Sequence, residues 1–315
     1  MRGKRMSIIG DLVKYYREER GMSQADLSEK DCSRESIVKI ETGKNVPKIE
    51  TIALLSEKLN VNLFGAISAV YAHNDLRTHL LCREGDEALN SEDMDKLEKW
   101  LVEIEGKGDF SKGEPKQLVF YAKALIEFNK GNYEGAKENL LKGIQIRHQE
   151  FPEKLDENAR FNNKEYAMIM AYAVTLERCN EKKAGADILR FEKNHIEKLL
   201  SMKDFFDDTT KGFLCNMMSS CLYNRYCIEP ELSIELYNEI DAAIDNQKES
   251  KRVFNLPDLL FCKAALLANM GELKEAKDTY NTALVFGNFY YGTEKTKELA
   301  QNIINARADY AVFGE

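Results

Sequence analysis

Apolar positions in the first part of the chain recur with a helical period. Ile8, Ile9, Leu12, Val13 and Tyr16 fall at i, i+3, i+4 spacing, the stripe of a helix that buries one face. Arg20 followed by Gly21 is a helix C-terminal signal. Ser23 is a good N-cap with Asp26 three residues on, so the pattern predicts a second short helix carrying Leu27 and Ser28. Ser33 opens a third, Arg34 to Glu41. Its Ile37 and Ile40 turn inward and leave Arg34, Glu35, Ser36, Val38 and Lys39 outside. Gly43 suits a left-handed residue after that helix, and Pro47 leads to a fourth, Ile49 to Leu59. Ile49, Ile52, Leu55, Leu59 and Val61 complete a small core, and a domain of roughly 55–65 residues folds on that many anchors.

Past residue 65 the pattern changes. Leu, Glu, Lys and Ala dominate and strand-like alternation is hardly present, so the chain reads as all-α. Phe120-Tyr121-Ala122-Lys123-Ala124-Leu125 is followed by Gly131-Asn132-Tyr133-Glu134-Gly135-Ala136-Lys137. Leu260-Phe261-Cys262-Lys263-Ala264-Ala265 is followed at the same interval by Gly271-Glu272-Leu273-Lys274-Glu275-Ala276-Lys277. Leu140 then matches Tyr280, and Gly143 matches Ala283. This resembles the tetratricopeptide pattern of a small residue on one helix, Gly at the turn, then an aromatic and an Ala on the next. Degenerate copies run from about Ser68 to Glu105 with a turn at Asn90-Ser91, from Asn163 to Leu200 with a turn at Cys179-Asn180-Glu181, and from Thr209 to Ile244 with a turn at Glu229-Pro230. A last helix, Thr293 to Tyr310, would cap the open end, and residues 106–116 and 150–162 read as longer connections. The expected architecture is a domain over residues 1–65, then an α-solenoid of five helix pairs plus a cap over 66–315.

The order and gaps of the first four helices are those of a helix-turn-helix DNA reader, which presents the N-terminal half of one short helix to the major groove. Tyr16-Arg17-Glu18-Glu19-Arg20-Gly21-Met22-Ser23-Gln24-Ala25-Asp26-Leu27-Ser28, Ile37-Val38-Lys39-Ile40-Glu41-Thr42-Gly43 and Asn45-Val46-Pro47 resemble the Cro and phage-repressor (Xre-like) type. The connection Glu29-Lys30-Asp31-Cys32 is shorter than the common form and lacks its glycine. In that it is similar to the RRNPP family of peptide-pheromone-responsive regulators of low-GC Gram-positive bacteria, with its PlcR-like members the nearest type. The resemblance implies a sequence-specific transcriptional regulator of the quorum-sensing kind. Its reader would be joined to tetratricopeptide-like repeats that bind a short signalling peptide. It also implies an internal ion pair between Arg17 and Glu41. Arg34, Glu35, Ser36 and Lys39 are then expected near base edges. Gln24, Lys44 and Asn45 are expected at phosphates, with the caps Ser23 and Ser33 beside them. One such helix reads too few base pairs for a genomic site, so a symmetric homodimer on double-stranded operator DNA is expected.

Charge divides unevenly. Residues 1–65 hold 12 Lys and Arg against 10 Asp and Glu, and the remainder holds 33 against 43, within a net charge of −8. A small excess on the reader makes placement, not total, the signal for DNA. The acidic remainder disfavours nucleic acid and favours a neutral or cationic ligand. Cys32, Cys82, Cys179, Cys215, Cys221, Cys227 and Cys262 show no C-x-x-C pair and read as reduced thiols. His73, His79, His148 and His195 are scattered, and no catalytic triad order, phosphate loop or metal-helix motif occurs. No enzyme, metal or cofactor is expected. No apolar run approaches the ~18 residues of a membrane span, and the basic N-terminus is not followed by a signal-peptide core, so the expectation is cytoplasmic.

A stack of helix pairs has a concave face, the natural ligand site. On the helix Phe213 to Cys227, Leu214, Met217, Met218, Cys221 and Leu222 form an apolar stripe, and Asn216, Ser219, Ser220 and Tyr223 form a polar one without Lys or Glu. Short polar groups suit the alternating donors and acceptors of a peptide backbone. Asn224, Tyr121, Asn129, Asn163, Tyr166 and Arg178 are further candidates for a groove between the pairs starting near Gln117 and Leu259. The competing reading is a protein-interaction scaffold or adaptor whose helix-turn-helix is reused for protein contacts.

Overall fold

Side-chain caps cut the apolar pattern into discrete helices. The structure, a computed structural model, describes residues 2–29, 32–73, 75–91, 93–202, 208–229, 233–250, 255–305 and 310–313. Among the described residues it is all-α, with no β-strand, and Cα packing divides it into Met1–Asn129 and Lys130–Glu315. No helix among the described residues is long and apolar enough to cross a membrane.

The first unit contains α1 (Arg2–Glu19), α2 (Arg34–Glu41), α3 (Ile49–Leu59), α4 (Leu63–Ala72), α5 (Leu76–Asn90), α6 (Met94–Glu103) and α7 (Gly113–Asn129). Val13, Leu27, Ile37, Ile40, Leu55 and Leu59 make one core, while Ile8 and Leu12 on the same α1 pack with Val70 of α4. α1 therefore serves two cores. It also touches α5, so the N-terminal helices and the first helix pair pack within one unit that ends at Asn129. Gly10 makes the α1–α2 crossing possible, because a Cβ there would collide with the Ile40 carbonyl oxygen.

Two expectations are corrected here. The second helix does not form: residues 24–27 are turns. Ser23 N donates to Asp26 Oδ2 at 2.6 Å, Asp26 N lies 3.3 Å from Ser23 Oγ, and the backbone bonds Asp26 N to Ser23 O and Ser28 N to Ala25 O close turns three residues apart. The reciprocal box is made, but turns and not an α-helix follow it. The first helix pair begins at Leu76, not near Ser68, which lies inside α4. Asn62 Oδ1 caps α4 through Gly65 N at 3.0 Å and Asp75 Oδ1 caps α5 through Thr78 N at 2.8 Å, so two starts replace one.

The second unit holds α8 (Tyr133–Ile144), α9 (Asn163–Arg178), α10 (Lys182–Ser201), α11 (Asp208–Ile228), α12 (Ile234–Ser250), α13 (Leu256–Asn269), α14 (Leu273–Tyr291), α15 (Thr293–Asn305) and a 3-10 turn, Tyr310–Val312. The turns expected at glycine are there: Gly131 and Gly271 have φ of 79° and 85°, and Ala136, Ala276, Gly143 and Ala283 are buried. Gly185 of α10 lies against the Ala173 carbonyl of α9, where a Cβ would sit at 2.6 Å. α15 closes the end, and Tyr226 Oη of α11 donates to the Ile303 carbonyl at 2.9 Å. Pro230 and residues 306–309, where a turn and the end of the capping helix were expected, lie outside the described residues.

An ionic network joins α10, α11 and α12. Arg225 is fully buried, and its Nε donates to Glu229 Oε1 at 2.7 Å while Nη1 pairs with Glu239. Lys193 Nζ stands 2.9 Å from both Glu197 and Glu239, and Arg190 reaches Glu229. Glu192 is the exception. It is buried, and burial pushes its acid well above the ordinary range, against a weaker pull from a hydrogen bond with the Cys221 thiol. The folded state thus keeps a proton that the unfolded chain releases above about 4.5. Because the folded state binds the extra proton, its stability falls as pH rises from there through the folded-state pKa. Denaturant titrations followed by helical circular dichroism across that window should show this slope in the wild type and its loss in Glu192→Gln. Equal slopes in the two proteins would contradict the assignment.

Candidate nucleic-acid interface and peptide groove

The short helix α2 is fixed at both ends. Ser33 Oγ accepts from Ser36 N at 3.2 Å, and beyond the helix Gly43 (φ 69°) lets Lys44 N and Asn45 N both bond the Lys39 carbonyl, at 2.8 and 3.0 Å. Ile37 and Ile40 are buried, which turns Arg34, Glu35 and Lys39 to the surface, with Ser36 half-buried beside the cap. Glu35 and Lys39 pair at 2.9 Å, and that cation holds the Glu35 carboxyl below its ordinary value. Lys44 and Asn45 are exposed directly after the helix. Arg34, Ser36, Lys39, Lys44 and Asn45 are thus brought to one short stretch of surface around α2.

Behind that surface lies a buried carboxylate. Arg17 Nε donates to Glu41 Oε1 at 2.6 Å and Arg17 Nη2 to Oε2 at 3.1 Å, while Gln24 Nε2 donates to Oε2 at 2.8 Å. Arg17 Nη1 also donates to the Met22 carbonyl at 2.9 Å. Gln24, expected at a phosphate, is turned inward in this arrangement. Ser23 is exposed and its hydroxyl belongs to the turn box.

The groove residues divide. Asn216, Ser220, Tyr223 and Asn224 share one face of α11 and are half-buried. Asn224 Nδ2 donates to the Ser220 carbonyl at 2.9 Å, and Ser220 Oγ accepts from Asn255 Nδ2 at 2.8 Å. Ser219 and Tyr166 are interior instead. Ser219 Oγ donates to the Cys215 carbonyl and accepts from Gln247 Nε2 of α12, and Tyr166 Oη lies 2.7 Å from His195 Nδ1. Burial raises the Tyr166 phenol, so it stays protonated. Asn163 and Arg178 are exposed at opposite ends of α9, about 22 Å apart at 1.5 Å per residue. Tyr121 and Asn129 are on α7, half-buried and exposed respectively. No cluster of three or more His, Cys, Asp or Glu able to hold a metal occurs among the described residues.

The helix-turn-helix family matches residues 13–65. No curated protein matches the chain. Among solved structures, Bacillus thuringiensis PlcR in complex with the peptide PapR7 and DNA is similar over 93% of this chain and 99% of that one, at 17% identity and a TM-score of 0.62. The Streptococcus dysgalactiae SHP pheromone receptor Rgg2 matches at 13% identity and a TM-score of 0.49, over 93% and 99% of the two chains. The apo form of the competence regulator ComR from Streptococcus vestibularis matches at 14% identity and a TM-score of 0.46, over 97% and 100%. The PlcR match shows that the fold, a helix-turn-helix followed by a helical repeat array, is shared along nearly the whole chain.

Removing Glu41 strands the Arg17 guanidinium inside the protein, which costs about 3–5 kcal/mol for a buried pair. Glu41→Ala should lower the denaturation midpoint of the first unit, followed through Trp100, the one tryptophan of the chain. The double replacement Arg17→Met with Glu41→Leu should be milder than either single change, since it leaves no unpaired charge. An unchanged midpoint in Glu41→Ala would show that the pair contributes nothing.

Proposed function

We propose that the chain is a sequence-specific DNA-binding transcriptional regulator of the RRNPP kind, gated by a short peptide bound to its repeat domain. The observation that carries this reading is the exposed face of α2, capped at both ends and backed by the Arg17–Glu41–Gln24 knot. Its Arg34 and Lys39, followed by Lys44 and Asn45, offer base-reading and phosphate-binding groups within a helix-turn-helix of family-matched sequence. The fold shared with a protein whose structure holds both a peptide and DNA supports the two-part division.

In this reading residues 1–65 bind operator DNA and residues 66–315 bind the peptide and make a homodimer. The chain is a cytoplasmic protein without enzymatic activity. Arg34, Glu35, Ser36 and Lys39 face base edges, while Ser23, Ser33, Lys44 and Asn45 lie along phosphates. Gln24 acts through Glu41, setting the pose of α2. The peptide backbone meets Asn216, Ser220, Tyr223 and Asn224 on α11. Asn163 and Arg178 are outlying members, and Ser219 and Tyr166 support the groove from the interior.

The test is DNA binding by fluorescence anisotropy over a range of salt, with duplexes selected from random sequence. Arg34→Ala should lose roughly 1–3 kcal/mol and relax preference at one base pair. Lys44→Ala should weaken all duplexes alike and reduce the salt slope by about one. Wild-type behaviour in both variants would sink the assignment of this face.

A further inference from the structure

Residues 22–33 carry the chain from α1 to the cap of α2, and the described part of that stretch forms no α-helix. Its path is set by side chains from elsewhere. At the start, Arg17 Nη1 holds the Met22 carbonyl and Glu41 holds Gln24. At the far end the holding group comes from α3. Lys58 Nζ donates to the Ser28 carbonyl at 3.0 Å and pairs with the Glu29 carboxylate at 3.3 Å. Immediately after, Glu29 and Cys32 exchange both backbone hydrogen bonds, at 2.9 and 3.0 Å, and the buried Cys32 delivers the chain to Ser33.

Lysines of a DNA reader are by default candidate phosphate contacts. The Lys58 side chain is 20% exposed, in contrast to the exposed Lys44 beside α2. A carbonyl and a carboxylate already engage its ammonium, and the carbonyl belongs to the segment that launches the reading helix.

We propose that Lys58 is a positioning residue for DNA reading: by gripping Ser28 and Glu29 from α3 it fixes the entry of the chain into α2, and with it the direction in which Arg34 and Lys39 point. This rests on α2 being the DNA-facing helix. Lys58 itself touches no DNA.

The test uses the full-length chain and a duplex that the wild type selects from random sequence. Lys58→Met should lower affinity roughly tenfold or more, the effect of losing a hydrogen bond to a charged group. The slope of log affinity against log salt should stay at the wild-type value, because no phosphate contact is lost. Amide hydrogen exchange in residues 22–33 should accelerate while α9 and α10 exchange as before. Lys58→Arg, which keeps charge and donors, should restore most of the affinity. Wild-type affinity in Lys58→Met overturns the proposal, as does a slope smaller by about one with unchanged exchange, the mark of a phosphate contact. If Lys58→Met lacks native circular dichroism, Lys58→Gln, which keeps a donor for Ser28, is read by the same two criteria. A wild-type chain that selects no duplex sinks the DNA reading, and the exchange of residues 22–33 then decides the Lys58 contact alone.

Discussion

The Glu41 carboxylate, buried at the end of α2, is the constraint on which the N-terminal helices depend. Three donors converge on it, two from Arg17 of α1 and one from Gln24 of the following turn. A buried charge is tolerated when it is paired and hydrogen-bonded, and the geometry that satisfies it is narrow. α2 therefore cannot rotate about its axis without stranding Glu41, and Gly10 lets α1 approach the Ile40 carbonyl closely enough for the pair to close. What faces outward from α2 follows from what is locked inward.

The second unit is held on different terms. Small residues, Ala136, Ala276 and Ala283, are buried along its helices, and Gly185 lets α10 come close to the Ala173 carbonyl of α9. Across α10, α11 and α12 the ties are ionic: Arg225 and Lys193 share Glu239, and Arg225 and Arg190 share Glu229. Shared partners make such a network geometrically demanding, because moving one helix disturbs several pairs together. The polar face of α11 that carries Asn216, Ser220, Tyr223 and Asn224 is on the same helix as Arg225. A ligand on that face would act on a helix whose position the network fixes.

Much of this is legible in the chain because local and long-range signals agree there. α2 is readable from Ser33, Ile37, Ile40 and Gly43, where cap, burial period and stop coincide. The turns at Gly131 and Gly271 are readable from the glycines, both of which take positive φ. Where signals compete, the reading fails. Ser23 and Asp26 look like a helix start, and each side chain does accept from the other's backbone N–H, yet residues 24–27 form turns and no α-helix follows. Ser219 and Ser220 are alike in sequence, but Ser219 faces Gln247 in the interior while Ser220 lies on the α11 surface. Lys58 and Gly10 carried no local mark of their roles, which arise from contacts with residues thirty positions away in sequence.

The central claim is that one chain couples a DNA-reading surface to a peptide-binding one. Only a ligand with different affinity for two states of the protein shifts an equilibrium between them, and the shift is reciprocal. The most direct measurement is calorimetric titration of a peptide, selected for binding from a random heptapeptide library, into the chain alone and into the chain saturated with its selected duplex. Coupling of 1–3 kcal/mol, typical of such systems, predicts peptide affinities that differ about 5–150-fold between the two titrations, and the same factor in DNA affinity with and without peptide. Equal peptide affinities in both titrations would contradict the account.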